Sequence, residues 1–436
     1  MPPSTLANYF EFQRLGTNWR TEILAGCTTF LTMAYIIFVN PAILAETGMP
    51  VAAVTTATCL AAAFGSILMG AYARYPIALA PGMGLNAYFT YVVVKGMGIP
   101  WQAALGAVFF SGVIFLLLTL TGIRQLIVAA IPTELYDAVA AGIGLFIAFI
   151  GLKNAGLVVA NPSTFVTMGN LQHPSTALAI GGLLLMAVLL ARGSHLAILA
   201  GIAATTAAAL ALGQARLSGA GQDLSALQGT FLHLDLAATA KLGFLEIIFV
   251  FLFVDMFDNL GTLVGVGKRA GLLDQANRIP RIERILFTDS VATIIGSLFG
   301  TSTVVSYIES ASGVAAGGRS GMTAIVTGCL FLIAAFIAPL FGTIPAAATA
   351  PALILVGSLM MSHVSEINWR DPLIAIPAFL TLLTIPLTFS IANGLAIGFL
   401  AYVLLRVLSG RFRDVNWLVY VLALLFLVRF VYLGKG

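Results

Sequence analysis

Residues 300–318 read GTSTVVSYIESASGVAAGG and place one carboxylate, Glu309, in a weakly polar run of a very apolar chain. A charged side chain at bilayer depth costs roughly 2.5 kcal/mol or more on insertion scales, so such a residue usually serves a function. The sequence therefore predicts Glu309 as a site residue. The alternative is a structural glutamate whose carboxylate is satisfied by neighbouring Ser and Thr hydroxyls.

The same stretch changes its local preference near Glu309. Residues 304–307 are β-branched and aromatic, which favours an extended backbone, whereas residues 309–316 are rich in Ser, Ala and Gly and favour a short helix. A strand that leads into a half-helix points backbone N–H groups at a cavity, and irregular backbone is tolerated at membrane depth only where protein or a water-filled site satisfies it. We therefore expect a ligand site at this junction, with Ser310 as a further contact.

A second stretch has the same design. Residues 75–80 read YPIALA and favour an extended backbone, and residues 81–86 read PGMGLN and favour a turn into a helix. Glycine lets a ligand approach the backbone closely, and Asn86 offers both a donor and an acceptor. The prediction is that Gly84 and Asn86 contact the ligand. The alternative is a close helix–helix contact through the glycines.

The composition excludes a soluble globular protein. Hydrophobic residues make up 60% of the 436 residues and charged residues only 9%, against roughly 25% charged in soluble domains. The chain is predicted to be an all-α polytopic membrane protein with short strands in its third and tenth segments. Fourteen apolar segments of spanning length lie near residues 22–40, 52–73, 80–94, 101–121, 133–152, 175–191, 194–212, 242–266, 283–299, 303–317, 320–340, 345–363, 371–388 and 391–408.

The first seven segments resemble the last seven. FGSILMG at 64–70 precedes the third segment as IGSLFG at 295–300 precedes the tenth. An odd number of spans per repeat turns the second copy upside down, which is the inverted-repeat plan of secondary transporters. The predicted division is a first repeat at 1–212, an extracytoplasmic connection at 213–240, a second repeat at 241–408 and a C-terminal apolar segment at 409–436.

The distribution of charge predicts the orientation. With the N-terminus in the cytoplasm, fifteen of the 21 Lys and Arg fall inside and four outside, as the positive-inside rule requires. In the last apolar run, 416–432, Arg429 favours an interfacial helix over a further span. The inside set is Arg14, Arg20, Arg74, Arg124, Arg192, Lys268, Arg269, Arg278, Arg281, Arg284, Arg319, Arg370, Arg406, Arg411 and Arg413.

The eighth segment carries two carboxylates three residues apart, Asp255 and Asp258, in FVDMFDNLGT at 253–262. At that spacing they share one face of a helix. Two like charges there repel, so we expect one to be protonated for part of a transport cycle or bonded to a neighbouring polar group. Gly261 gives Asp258 room, which makes Asp258 the stronger site candidate, whereas bracing of the helix is as good an interpretation of Asp255.

Enzyme, metal-site and channel interpretations have less support. The chain has no HExxH, P-loop or GxSxG motif, and Asp137 and Asp289 lie near segment ends, where structural hydrogen bonding is expected. A pore would favour rings of charge or repeated filter sequences, whereas two unlike half-helices facing two acids suit an alternating-access site. No metal site, cofactor or catalytic triad is predicted, because the four histidines are scattered near segment ends: His173, His195, His233 and His363.

The residue types also restrict the ligand. Carboxylates beside helix N-termini disfavour an anion and suit a flat neutral molecule whose N–H groups they accept, while backbone N–H groups meet its carbonyl or ring nitrogens. A nucleobase fits, and so would other small amides. Nucleic acid is not expected as a partner, because the basic residues are scattered over short loops.

Five longer motifs resemble a known family. They are TEILAG at 21–26, FLTMAYIIFVNP at 30–41, ALAPGMGLNA at 78–87, FDNLGTLVGV at 257–266 and GTSTVVSYIESASGVAAGGRSG at 300–321. Together they resemble the purine branch of the nucleobase:cation symporter-2 (xanthine/uracil permease) family, the azaguanine-resistance-like group of hypoxanthine, guanine and adenine permeases. The similarity covers nearly the whole chain.

The resemblance implies fourteen spans in two inverted repeats, with a core domain (spans 1–4 and 8–11) that moves against a gate domain (spans 5–7 and 12–14). By motif, Asp258 and Glu309 match the acids of the eighth and tenth spans, and Gly84 and Asn86 match the substrate contacts of the third. One departure, Asn259-Leu260 in place of an expected Thr-Val, bears on fine selectivity.

The resulting hypothesis is a secondary active transporter, not an enzyme, that takes up purine nucleobases by proton symport across the plasma membrane. Asp258, Glu309 and Asp255 are the expected proton-coupling residues. Within the class, a uracil or xanthine permease is the alternative, and outside it an anion transporter or channel of the same fold. Sodium coupling is the competing interpretation of the driving ion, and a homodimer is left open.

Overall fold

The computed structural model describes residues 3–215, 224–240, 244–272, 279–337 and 344–433. Its first half contains α1 (Pro3–Tyr9), α2 (Phe12–Leu15), α3 (Trp19–Met33), α4 (Ile36–Leu44), α5 (Val51–Leu68), β1 (Leu79–Pro81), α6 (Met83–Ala87), α7 (Trp101–Leu120), α8 (Ile123–Ala130), α9 (Thr133–Asn154), β2 (Val158–Asn161), β3 (Phe165–Met168), α10 (Pro174–Ala191) and α11 (Ala197–Ala211). A π-helical stretch, Tyr88–Val94, extends α6.

The second half repeats this order. It contains α12 (Leu236–Thr239), α13 (Leu245–Ala270), α14 (Ile282–Phe299), β4 (Val304–Ser306), α15 (Ser310–Ala315), α16 (Gly321–Ile337), α17 (Ala346–Met360), α18 (Pro372–Leu387), α19 (Ile391–Leu408) and α20 (Trp417–Val428). A 3-10 turn, Met361–Glu366, follows α17, and a π-helical stretch, Arg429–Leu433, follows α20.

Within the described residues, eight helices are long and apolar enough to cross a bilayer, and shorter apolar helices accompany them. Each of the fourteen predicted segments coincides with a helix or with a strand that leads into a helix, with the usual shift of a few residues at the ends. The predicted polytopic helical fold with inverted repeats is confirmed.

The third and tenth segments meet as a two-stranded antiparallel sheet. Leu79 of β1 pairs with Ser306 of β4, and Pro81 pairs with Val304. The pairing continues past the strands, because Gly82 N donates to Thr303 O at 2.9 Å. Both strands are buried, so the helices that follow them begin in the interior of the protein rather than at its surface. The predicted pair of strand–helix units is confirmed.

Hydroxyl side chains cover the outer edges of this sheet. Ser66 Oγ of α5 accepts from Leu79 N at 2.9 Å and donates to Leu79 O at 3.1 Å. Thr293 Oγ1 of α14 accepts from Val304 N at 3.3 Å and donates to Val304 O at 3.1 Å. In each repeat, the helix that precedes the strand thus supplies a hydroxyl that bonds the strand's outward N–H and C=O groups. A two-stranded sheet at membrane depth requires such partners, because its edges have no further strand and no water.

The helices pack in two sets. One set, which we call the core bundle, comprises α3 to α7 and α13 to α16 together with β1 and β4; the other, which we call the gate bundle, comprises α9 to α11 and α17 to α19. The names describe packing alone. The bundles touch where α13 and α6 lie against α9 and where α4 lies against α17.

An antiparallel hairpin of β2 and β3 joins α9 to α10, and the sequence did not predict it. Its turn is fixed locally, because Asn161 Oδ1 accepts from Ser163 N at 2.8 Å and from Thr164 N at 3.2 Å. Such an Asx turn is a recognisable signal in the stretch NPST at 161–164.

The interfacial interpretation of the last apolar segment stays a prediction, and the structure shows how this segment packs. Helix α20 runs antiparallel to α19: Phe426 packs on Phe399 in the middle of α19 with ring centroids 5.6 Å apart, and Arg429 Nη1 donates to Asn393 Oδ1 near its start at 3.1 Å. Arg429 Nε also donates to Glu246 Oε1 at 2.9 Å. Arg429 is therefore a paired charge, which costs less near or within a bilayer than an isolated one.

Candidate functional site

A small cavity of about 50 Å³, partly open to solvent, lies between the two bundles. The core bundle contributes Tyr35, Gly82, Met83, Gly84, Asp258, Thr262, Val305, Ser306, Tyr307, Ile308 and Glu309. The gate bundle contributes Ala140, Ile147, Val356, Leu359, Met360 and His363.

The structure brings the two predicted acids to one wall of this cavity. Asp258 lies in the middle of α13, and Glu309 occupies the N-cap position of α15, three residues after the end of β4. Both side chains are partly exposed to the cavity rather than fully buried. No Lys or Arg is among the lining residues of the described chain, so the wall carries acceptors without a fixed positive charge.

Each acid is held differently. Glu309 Oε1 accepts from the Tyr35 hydroxyl at 2.6 Å. Asp258 has no hydrogen-bond partner among the described residues, and its Oδ2 lies 3.5 Å from where a Cβ on Gly82 would be. Asp258 therefore keeps both oxygens for a ligand, while Glu309 keeps one.

Gly84 lines the cavity, yet its missing side chain faces α9. A Cβ at Gly84 would come within 2.6 Å of Ile143 Cγ2, so this glycine allows the half-helix to approach the gate bundle. At Gly82, by contrast, a Cβ would lie 2.9 Å from Val305 Cγ2 and 3.5 Å from Asp258 Oδ2. The packing of Gly84 on Ile143 agrees with the helix–helix alternative, and contact of Gly84 with a ligand stays a prediction.

Asn86 and Ser310 lie behind the cavity wall. Asn86 is fully buried, donates from Nδ2 to Asn40 Oδ1 at 2.5 Å and accepts from the hydroxyl of Ser302. Ser310 is also fully buried, and its Oγ accepts from Ala78 N at 3.0 Å. Neither residue is among those that line the cavity. Each one joins a strand–helix unit to its surroundings.

Asp255 is fully buried one turn before Asp258 and does not reach the cavity. Neither of its carboxylate oxygens has a hydrogen-bond partner among the described residues. A buried carboxylate without a partner is costly, so a proton or an ordered water is expected on it. The described residues give no hydrogen bond through which Asp255 would brace its helix.

A buried chain of hydrogen bonds leads to the cavity strand from the opposite side. Arg124 of α8 is fully buried and donates to Asp289 Oδ2 at 2.7 Å, and Asn259 donates to the other oxygen of Asp289. Asn259 Oδ1 in turn accepts from Ser306 N at 3.1 Å. The structural role predicted for Asp289 is confirmed, whereas Arg124, which we counted among cytoplasmic loop charges, is an interior residue.

Tyr35 and His363 line the cavity, although neither was predicted from the sequence as a site residue. Tyr35 lies where the first span is interrupted between α3 and α4, and only the folded chain brings it to Glu309. His363 lines the gate side, although its position near a segment end had argued against a site role. The described residues contain no cluster of three or more His, Cys, Asp or Glu that could hold a metal ion.

Comparison with known proteins places the chain among transporters. A family model labelled Xan_ur_permease and described as Permease family matches residues 20–412. The adenine permease AdeP of Escherichia coli strain K12 is 46% identical over 428 residues, covering 98% of this chain and 96% of that protein. The guanine/hypoxanthine permease PbuG of Bacillus subtilis strain 168 is 47% identical over 442 residues, covering 98% of this chain and all of that protein, 100%.

A solved structure supports the fold. The transmembrane domain of a cyanobacterium bicarbonate transporter, BicA, superposes with a TM-score of 0.63 at 16% sequence identity, covering 87% of this chain and 97% of that one. At that identity the likeness concerns the fold alone.

Proposed function

The chain belongs to the xanthine/uracil permease family, and on that basis we propose that it takes up purine nucleobases, namely hypoxanthine, guanine and adenine, by proton symport. The family consists of permeases rather than enzymes. The proposed membrane is the plasma (inner) membrane, with the N-terminus in the cytoplasm as the distribution of Lys and Arg favours.

The observation that carries the proposal is the pair Asp258 and Glu309 on one wall of the cavity between the two bundles. Carboxylates are hydrogen-bond acceptors when ionised, so this wall suits a ligand that presents N–H groups. Purine bases carry N–H groups on both rings and have flat faces for the apolar side chains around them. Relatives at 46% and 47% identity named for adenine and for guanine and hypoxanthine support purines over uracil.

The acids also weigh against an anion as the substrate. The similar fold of a bicarbonate transporter keeps an anion carrier in view. However, two carboxylates with no Lys or Arg among the described lining residues would repel an anion in a site of low dielectric. We therefore retain the neutral base as the substrate and treat anions as competitors to be tested.

We propose alternating access by movement of the core bundle against the gate bundle. The contact between them includes small groups: Gly84 lies against Ile143, and a Cβ on Gly261 would lie 3.9 Å from Ala140 Cβ. It also includes aromatic packing of Phe257 on Tyr136 and Phe399. Small residues let helices come close without interlocking, which suits a boundary that must slide or rock. The substrate cavity lies at this boundary, where either side can open in turn.

Proton coupling is assigned to Asp258, with Glu309 and Asp255 as further carriers. A cavity that closes around two carboxylates must neutralise charge, and a proton on Asp258 does so at the place where the base binds. Proton and base would then each favour binding of the other, a reciprocity that linkage requires. Sodium is the competing ion, because carboxylates and backbone carbonyls also bind Na⁺.

The test is uptake of labelled hypoxanthine into proteoliposomes with purified protein. Accumulation driven by an imposed pH gradient, unchanged when sodium is replaced by choline and competed by guanine and adenine, supports the proposal. Sodium-dependent uptake without a response to the pH gradient overturns the proton assignment. Competition by uracil, xanthine or bicarbonate but not by hypoxanthine, guanine or adenine overturns the substrate assignment.

A further inference from the structure

The two walls of the cavity differ in polarity. On the gate side, the described lining residues are Ala140, Ile147, Val356, Leu359, Met360 and His363. His363 is the one polar side chain among them. A base bound to the core acids therefore meets an apolar surface on its other side except where this imidazole lies.

His363 is oriented by a carboxylate of its own bundle. Its Nδ1 lies 3.0 Å from Asp137 Oδ1 of α9, and the two side chains are only 11% and 18% exposed. An ionised carboxylate can only accept, so this contact places the ring hydrogen on Nδ1. The other nitrogen, Nε2, has no hydrogen-bond partner among the described residues and is left as an acceptor in the neutral ring.

The imidazole reaches the core bundle close to Asp258. A Cβ on Gly261 would lie 4.0 Å from His363 Cε1, and Gly261 is three residues after Asp258, about one helical turn. His363 thus lies across the boundary between the bundles from Asp258, the acid whose two oxygens have no hydrogen-bond partner among the described residues.

We propose that His363, positioned by Asp137, is the gate-side substrate-contacting residue and a specificity determinant of the purine site. This inference rests on the proposed function. The core acids accept N–H groups from one edge of the base, and His363 Nε2 accepts an N–H from another edge. A base that lacks this N–H leaves a buried acceptor unpaired, which is the kind of mismatch that a polar site rejects strongly.

If His363 accepts one ring N–H of the base, the effect on binding of methylating that nitrogen should depend on whether His363 is present. Purified protein is titrated with hypoxanthine and with its 1-methyl, 7-methyl and 9-methyl derivatives, in wild type, His363→Ala and His363→Gln. In wild type we expect the methyl group at the position facing His363 to weaken binding by about tenfold or more. In His363→Ala that penalty should shrink to about threefold, while the penalties of the other two derivatives stay unchanged.

Two further variants control the measurement. Asp137→Asn leaves the imidazole in place without its fixed tautomer, so the same derivative should lose part of its penalty. His173→Gln changes an exposed histidine bonded to Ser175 and should reproduce the wild-type pattern. If His363→Ala does not fold, His363→Gln and Asp137→Asn carry the same comparison.

The outcomes separate this inference from the proposed function. Wild-type binding of hypoxanthine with identical methyl penalties in all His363 variants overturns the role of His363 and leaves purine transport standing. Absence of binding of hypoxanthine, guanine and adenine to folded wild-type protein overturns the proposed function itself.

Discussion

The two strand–helix units at the centre of the molecule share a backbone and differ in chemistry. In the first, β1 leads through Gly82 into α6; in the second, β4 leads through residues 307–309 into α15. They pair with each other, and each is edged by a hydroxyl from the preceding helix of its own repeat. Yet only the second unit places an ionisable side chain, Glu309, at the start of its helix.

This difference shows what the inverted repeat supplies and what it does not. The repeat supplies hydrogen-bond partners for the buried backbone in both units, because each unit would otherwise leave N–H and C=O groups unpaired at membrane depth. The charged groups are not duplicated: Asp258 and Glu309 both belong to the second repeat. The first repeat contributes a close backbone approach at Gly82 and the hydroxyl of Tyr35.

The largest effect is expected where the second unit differs from the first. Asp258→Asn and Glu309→Gln keep the shape but replace acceptors by partial donors, so purine uptake should fall by about 30-fold or more, equivalent to about 2 kcal/mol. The measurement is initial uptake at matched membrane expression, with the half-buried Thr28→Ala, away from the cavity lining, as control. Normal affinity and uptake in Glu309→Gln would mean that the chemical asymmetry of the units is unrelated to the substrate.

A smaller effect is expected at Gly84, the residue of the first unit that touches the gate bundle. Gly84→Ala places a Cβ within 2.6 Å of Ile143 Cγ2, and overpacking of this kind costs about 1 to 3 kcal/mol. Uptake should fall about tenfold, mainly through the maximal rate, since the clash opposes closure of the bundles.

The double variant Gly84→Ala/Ile143→Ala decides between packing and ligand contact. Removal of the Ile143 side chain should restore most of the lost uptake if the two residues clash. If the double variant stays as slow as Gly84→Ala and its apparent affinity is reduced, Gly84 acts through the substrate instead.

The edge hydroxyls test the symmetry of the units directly. Ser66→Ala and Thr293→Val each remove a side chain that exchanges two hydrogen bonds with a buried strand residue. Each variant should lower the free energy of unfolding by about 1 to 3 kcal/mol. Thermal unfolding in detergent measures both; equal losses support equivalent units, and a loss in only one variant would show that one strand has another means of support.

The smallest effect is expected at the N-terminal segment, where Glu11 contacts one arginine from each repeat, Arg74 and Arg281. Partial burial alone would raise the pKa of Glu11, but the hydrogen bond and charge of Arg281, with Arg14 and Arg74, bring that pKa below its ordinary value. Its contribution to stability is therefore present above the ordinary glutamate pKa and lost as the pH falls through the lowered one.

Glu11→Gln should accordingly reduce stability by about 1 kcal/mol or less at pH 7, because the pairs are partly exposed. In thermal unfolding curves the difference from wild type should shrink as the pH falls below about 4, the ordinary range of glutamate, and vanish below the lowered pKa. A difference that persists there would indicate packing rather than charge.

The sequence determined the membrane class, the fourteen segments and the two interrupted spans. These follow from one-dimensional properties: hydropathy over spanning length, the alternation of β-branched residues with Gly, Ala and Ser, and the cost of a carboxylate in an apolar run. The same cost singled out Asp258 and Glu309, because few other acids lie so far from a segment end.

Only the tertiary structure decided which way the remaining polar side chains point. Asn86 and Ser310 have the right residue type at the right depth, yet both turn behind the wall and bond to Asn40 and Ala78. His363 has an unpromising position near a segment end, yet it contacts Asp137 and lines the cavity. Arg429 is an isolated charge in its apolar run, and only the fold brings Glu246, 183 residues away in the sequence, to it. The depth of a residue in its segment follows from the sequence alone. The direction of its side chain and its hydrogen-bond partners depend on which helices pack together, and only the folding of distant segments decides that.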